Sequence, residues 1–151
     1  MQDQDIKFMK IALEEAQAAA KRDEVPIGAV IVREGVLIAR DGNRTRERHD
    51  PTAHAETLVI REACKMAGAQ RIPDCDLYVT LEPCAQCAAA ASFARIRRLV
   101  FAAPDPKGGG VLHGPKFYEQ PTCHHRPAVT DGVSAEESSA LLKSFFAGKR
   151  K

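Results

Sequence analysis

No apolar run in this chain approaches the roughly 18 residues that suggest a membrane-spanning helix, so no membrane partner is expected. The opening residues, MQDQDIKFMK, lack the basic-then-apolar pattern of a signal peptide. A cytoplasmic location is the expectation that follows. Internal repeats, linkers and low-complexity stretches are also missing. Charge of one sign is scarce: 22 Lys/Arg against 20 Asp/Glu leave a net of +2. Residues 1–75 hold 12 basic and 13 acidic groups, and residues 76–151 hold 10 and 7. That bias is too small to indicate a nucleic-acid surface by itself. Five cysteines, Cys64, Cys75, Cys84, Cys87 and Cys123, are an odd number with no secretion signal, so a disulfide framework is not expected. In a reducing compartment, close cysteine spacing points instead to metal or redox chemistry. No second C-x-x-C exists to complete a standard zinc finger.

What is present suits one domain over residues 1–151, with 44% apolar and 28% charged residues. Residues 5–22 read as a helix, with Ile6, Met9, Leu13 and Ala16 or Gln17 at helical spacing. VPIGAVIV (25–32) and VLIARD (36–41) flank Glu34-Gly35, the pattern of a β-hairpin. Residues 42–53 form a polar loop. A helix follows to about Gly68, with Thr52 as a candidate N-cap. LYVTL (77–81) is a short buried strand, and Pro83 suits the start of a helix over 84–94. RLVFAA (98–103) is another strand, 104–125 is irregular, and 135–147 closes as an amphipathic helix. This order predicts a three-layer α/β/α arrangement, with two helical crossovers laying strands parallel.

The chemistry lies in two short runs. HDPTAHAE (49–56) places His54 two residues before Glu56 at a predicted helix start. EPCAQC (82–87) places Cys84 and Cys87 at i and i+3 on another first turn, where both sulfurs share a face. The partial positive charge of a helix start favours thiolate over thiol. Successive βα units start their helices at one sheet edge, so His54 comes within ligand reach of the cysteines. One imidazole and two thiolates make three zinc ligands, and a catalytic zinc keeps its fourth position for water. H-x-E followed by P-C-x-x-C is the zinc deaminase signature, with the glutamate as proton shuttle. Zinc would lower its water's pKa from ~15.7 toward ~7. Two other readings stay open: a structural zinc with Cys75, Cys123, His124 or His125 as fourth ligand, and a metal-free dithiol.

EVPIGAVIV, GNRTRERHDPTAHAE, LYVTLEPCAQCAAA and RRLVFAAPDPKGG together resemble the bacterial tRNA-specific adenosine deaminases, of the cytidine deaminase-like superfamily. The resemblance runs from about residue 24 to the C-terminus. It implies a mixed five-stranded sheet, one zinc ion (Zn2+) per chain, a homodimer, and conversion of adenosine to inosine at the wobble position of a tRNA anticodon stem-loop. It implies zinc ligands at His54, Cys84 and Cys87 and a proton shuttle at Glu56. It also implies base contacts from Asn43 and the Ala55 amide, pocket walls at Val25 and Pro26, and a nucleotide backbone contact at Asp105. Lys107, His125, Arg126 and Phe146 are further RNA contacts on the same ground. A free-base or nucleoside deaminase of guanine or cytosine shares the same zinc site and remains the alternative. So does a structural zinc module that binds RNA without turnover.

Two features depart from that pattern. Gln86 stands between the cysteines where methionine is common, and its side chain is expected to point away from zinc, toward the dimer contact. PTCHHRP (121–127) is also unlike many members. The basic residues Arg44, Arg46 and Arg48 and the terminal Lys149, Arg150 and Lys151 could meet phosphates or simply be solvated. Cys64 reads as core. Adjacent residues of an extended segment point to opposite sides, so Cys123-His124-His125 is an awkward second metal site.

Overall fold

A computed structural model describes residues 3–149; Arg150 and Lys151, two of the candidate phosphate contacts, lie outside the described residues. The elements in chain order are α1 (Asp3–Lys21), β1 (Gly28–Arg33), β2 (Val36–Gly42), α2 (Ala55–Ala67), β3 (Cys75–Leu81), α3 (Ala85–Phe93), β4 (Arg98–Ala103), a 3-10 turn (Phe117–Glu119), β5 (Ala128–Thr130) and α4 (Ala135–Lys149). The sheet order is β2-β1-β3-β4-β5. β1 is antiparallel to both β2 and β3, whereas β3, β4 and β5 run parallel. The sheet is therefore mixed, and its five strands fit the expected superfamily architecture.

Strand alternation divides the core into two layers. Ala29, Ile31, Leu77, Val79, Leu99 and Phe101 face one side and pack with α2 and α3. Val30, Val32, Tyr78, Val100 and Ala102 face the other and pack with Phe8, Met9 and Ala12 of α1. α4 also covers that side, where Ser138 donates to the Thr80 carbonyl at 2.5 Å.

α1 turns a different face inward from the one its large apolar residues predict. Asp5, Phe8, Met9, Ala12, Ala16 and Ala19 are buried, while Ile6 is 45% exposed. Close approach decides this. A Cβ at Gly28 would lie 1.9 Å from the Ala12 carbonyl oxygen, and one at Gly42 would lie 2.6 Å from that of Glu15. The alanine stripe lets the helix rest on the hairpin backbone, which a leucine face could not do. Buried Asp5 is satisfied across the layers, accepting from Tyr78 at 2.7 Å and from both Arg98 nitrogens at 2.8 and 2.7 Å.

Smaller differences have local causes. Thr52 does not cap α2; its hydroxyl and amide both donate to Asp50 Oδ1, and His54 takes the cap position. β5 spans three residues that are mostly exposed, so no apolar alternation marks it in the sequence. Cys64 is half-buried against the α2/α3 layer.

Candidate active site

β2 and β3 run the same way, so the segments that follow them return to the same sheet edge. There α2 begins after His54 and α3 after Cys84, both in extended backbone. The His54 carbonyl accepts the first helical bond from Leu58, and the Cys84 carbonyl accepts that from Ala88. Neither residue's side chain makes a capping hydrogen bond. The imidazole and thiol are thus left for another role, beside two positive helix ends.

His54 Nδ1 lies 3.5 Å from Cys84 Sγ and 3.4 Å from Cys87 Sγ. All three ligand atoms fall within 4.8 Å of one another, and among the described residues no other group of His, Cys, Asp or Glu gathers this way. The Cys84 thiol is pushed down to about 4, first by its hydrogen bond with Cys87 and then by His54. The same pairing pushes Cys87 up, and Cys84 pushes His54 up. Three basic atoms competing for protons form a cradle that a dication suits, and the soft sulfur pair favours zinc. Among the described residues no fourth protein ligand joins them. Cys75 opens β3 at the strand's opposite end and contacts Asp74, and Cys123 lies 3.6 Å from Ser92 Oγ. Three protein ligands are the donor set of a catalytic zinc site, so the structural-zinc reading has no support here.

Glu56, in the first turn of α2, is buried at 4% exposure. Burial pushes its carboxyl up to about 7, past the opposing effect of its own backbone amide. A carboxyl in that range can both take and return a proton near neutrality.

A cavity of about 250 Å³ opens beside these groups, with Val25, Asn43, His54, Glu56, Cys84 and Asp105 in its walls. An adjoining groove of about 580 Å³ shares Val25 and Asp105 and adds Lys107 and Phe146. Pro26, expected as a wall, is buried and lines neither cavity. The Ala55 amide, expected to meet the base, donates to Asn43 Oδ1 at 2.8 Å. That bond holds the asparagine, whose side-chain nitrogen makes no hydrogen bond among the described residues. His125 and Arg126 lie outside both cavities. The His125 ring bonds the Ile96 carbonyl at 2.6 Å, and Arg126 donates to the carbonyls of Tyr118 and Gln120.

The basic loop is partly neutralised. Arg44 bonds Asp41 and Glu47, and Arg46 bonds Asp23. Lys149 also pairs with Asp23. Gln86 is engaged: its amide donates to the Thr52 carbonyl at 3.1 Å and to Thr57 Oγ1 at 3.2 Å. Thr57 in turn sits 3.5 Å from Cys87 Sγ. Four wall residues escaped the sequence reading: Ile27, Thr45, Leu81 and Glu82. For Glu82 a signal existed, a charge directly after the apolar run LYVTL.

A mixed α/β/α sheet with one imidazole and two thiols at two helix tips, and a buried glutamate beside them, defines the class of zinc-dependent deaminases. Residues 2–103 match the family described as the cytidine and deoxycytidylate deaminase zinc-binding region. The chain is 61% identical over 143 residues to a tRNA-specific adenosine deaminase of Agrobacterium fabrum, covering 95% of this chain and 94% of that one. A solved structure from work on A-to-I editing by tRNA:A34 deaminases at the wobble position superposes with a TM-score of 0.89 at 61% identity, covering 90% of this chain and 99% of that one. A guanine deaminase of Bacillus subtilis superposes at 0.66 with 31% identity, covering 100% and 96%. The chain belongs to the tRNA-specific adenosine deaminase family. As in the zinc-binding deaminases, His54, Cys84 and Cys87 bind its zinc.

Proposed function

We propose that this chain hydrolyses adenosine to inosine at the wobble position, nucleotide 34, of a tRNA anticodon, releasing ammonia. The observation that carries this is the joining of the His54–Cys84–Cys87 cluster, buried Glu56 and the Asn43 wall around one cavity. The high identity to tRNA-specific deaminases supports the substrate.

Bound zinc supplies a nucleophile by acidifying a water molecule near neutral pH. The remaining work falls to the chain. The target nucleotide is splayed from its loop into the cavity, because a stacked base cannot be reached. Val25, Ile27 and Leu81 offer the ring apolar walls. Asn43, held by the Ala55 amide, presents its free side-chain nitrogen to an acceptor on the base. Glu56 takes a proton from water and delivers protons to the ring and then to the departing amine. Asp105 meets the nucleotide backbone, and Lys107 and Phe146 meet flanking nucleotides in the adjoining groove.

The chain also acts as a homodimer in this reading. Phe93 is 68% exposed beside Ile60, Cys64 and Ala90 on the α2/α3 face. Burying such a face on a second copy removes a large apolar side chain from water. His125 and Arg126, outside the chain's own pocket, are then placed to serve RNA from the α3 end. A tRNA substrate puts the reaction in the cytoplasm, and no described helix is long and apolar enough to cross a membrane.

The likeness to guanine deaminase keeps a free-base substrate as the second reading. Incubation with an anticodon stem-loop carrying adenosine 34, and separately with guanine, cytosine and adenosine, separates the two. Inosine within the RNA is the expected product. Ammonia from a free base alone would overturn the assignment.

A further inference from the structure

The proton transfer and the metal cluster leave one buried ion unused. Glu82 is fully enclosed at its side chain, two residues before the ligand Cys84, yet it is not part of the ligand group. All of its donors come from one loop. Oε1 accepts from the Asp105 amide at 3.0 Å and from His113 Nδ1 at 2.7 Å. Oε2 accepts from the amides of Val111 at 3.2 Å, Leu112 at 2.9 Å and His113 at 3.1 Å. An ionised carboxylate only accepts, so the His113 proton resides on Nδ1.

The loop is laid directly on this carboxylate. A Cβ at Gly109 would lie 2.3 Å from Glu82 Oε2, and one at Gly110 would lie 2.6 Å from the Ala85 amide nitrogen. Gly110 also donates to the Pro83 carbonyl at 2.7 Å. Once its amide is fixed by Glu82, Asp105 folds the next turn, accepting from Lys107 and Gly108 at Oδ1 and from Gly109 at its carbonyl. Three successive glycines otherwise make this a costly segment to order.

We propose that Glu82 is a positioning residue: it holds loop 104–113 as a preformed wall, so that Asp105 and Lys107 are ready for the RNA. This rests on the functional reading above. A loop ordered before binding leaves less entropy to lose on docking, so the contribution falls on substrate binding. Proton transfer by Glu56 and zinc binding do not depend on it.

The test uses the full-length zinc enzyme and its E82Q variant. In glutamine one oxygen becomes an amide that donates, facing two or three donors whichever way it turns. The expected result is a KM for the anticodon stem-loop raised tenfold or more, with kcat within about threefold and zinc still one per chain. Hydrogen exchange should quicken at the amides of 105–113 and stay unchanged at the start of α2. A variant of opposite kind, Gly109→Ala, crowds the same carboxylate from the loop side and should give the same split. Loss of zinc, or a fall in kcat at constant KM, would overturn the proposal. So would unchanged exchange across 105–113. If E82Q does not fold, Gly109→Ala decides alone. A wild type inert toward the stem-loop sinks the functional reading instead; quickened exchange in the variants still upholds the clamp.

Discussion

Glu56 and Glu82 are the same side chain in nearly mirrored settings. One lies two residues after a zinc ligand, the other two residues before one, and they are 4% and 2% exposed. Their fates diverge because their donors do. For Glu56 burial dominates and its carboxyl is pushed up to about 7. For Glu82 burial also pushes upward, but the Asp105 amide, His113 and the amides of Leu112 and Val111 outweigh it and hold the group below the usual carboxylate range. A buried acid short of donors keeps its proton negotiable and can work as a shuttle. One saturated with donors stays ionised and becomes a fastening point. Burial alone tells neither story.

The comparison breaks most visibly at Glu56. Substitution E56Q keeps the shape and removes the exchangeable proton. Turnover of the stem-loop should fall by ~10²–10⁴-fold or more, with zinc content unchanged by metal analysis. Full activity in that variant would strip Glu56 of its role.

Acid sharpens the other half of the contrast. Glu82 has a folded pKa below its ordinary 4.5. Its stabilising effect is therefore complete above that value and is lost as pH falls through it toward the folded pKa. Denaturant unfolding of wild type and E82Q should differ most above the ordinary 4.5, and the gap should narrow as pH falls below it. A gap that does not change with pH would mean that Glu82 is not held as the ion.

The smallest effect is expected at Gln86, which fastens the two helix starts from outside the cavity. Q86M removes two partly exposed hydrogen bonds. Stability should drop by about 1 kcal/mol, and kcat should stay within about twofold. A large loss of zinc affinity would place Gln86 much closer to the metal chemistry than its contacts suggest.

How much of this was legible beforehand varies by element. The central strands declared themselves because buried strands need short apolar runs, and VPIGAVIV and RLVFAA are such runs. The two helix tips were legible because HAE and PCAQC carry their chemistry within a few residues. The inward face of α1 was not, because the large residues Ile6 and Leu13 obscured an alanine stripe chosen by the glycines of the hairpin. β5 was not read from pattern, since three mostly exposed residues carry no alternation. The commitment of the Ala55 amide to Asn43 joins residues twelve apart through a loop that local pattern does not describe.

The sequence by itself determined the identities of the reacting groups, their spacing along each helix tip, and the alternation that builds the sheet. These are short-range properties, set by the period of a helix or strand. The tertiary structure alone decided that His54 meets sulfurs thirty and more residues away, that no fourth ligand joins them among the described residues, and which buried glutamate is left short of donors. Those outcomes depend on which backbone amides are brought to each carboxylate by distant segments, and that is settled only when the layers pack.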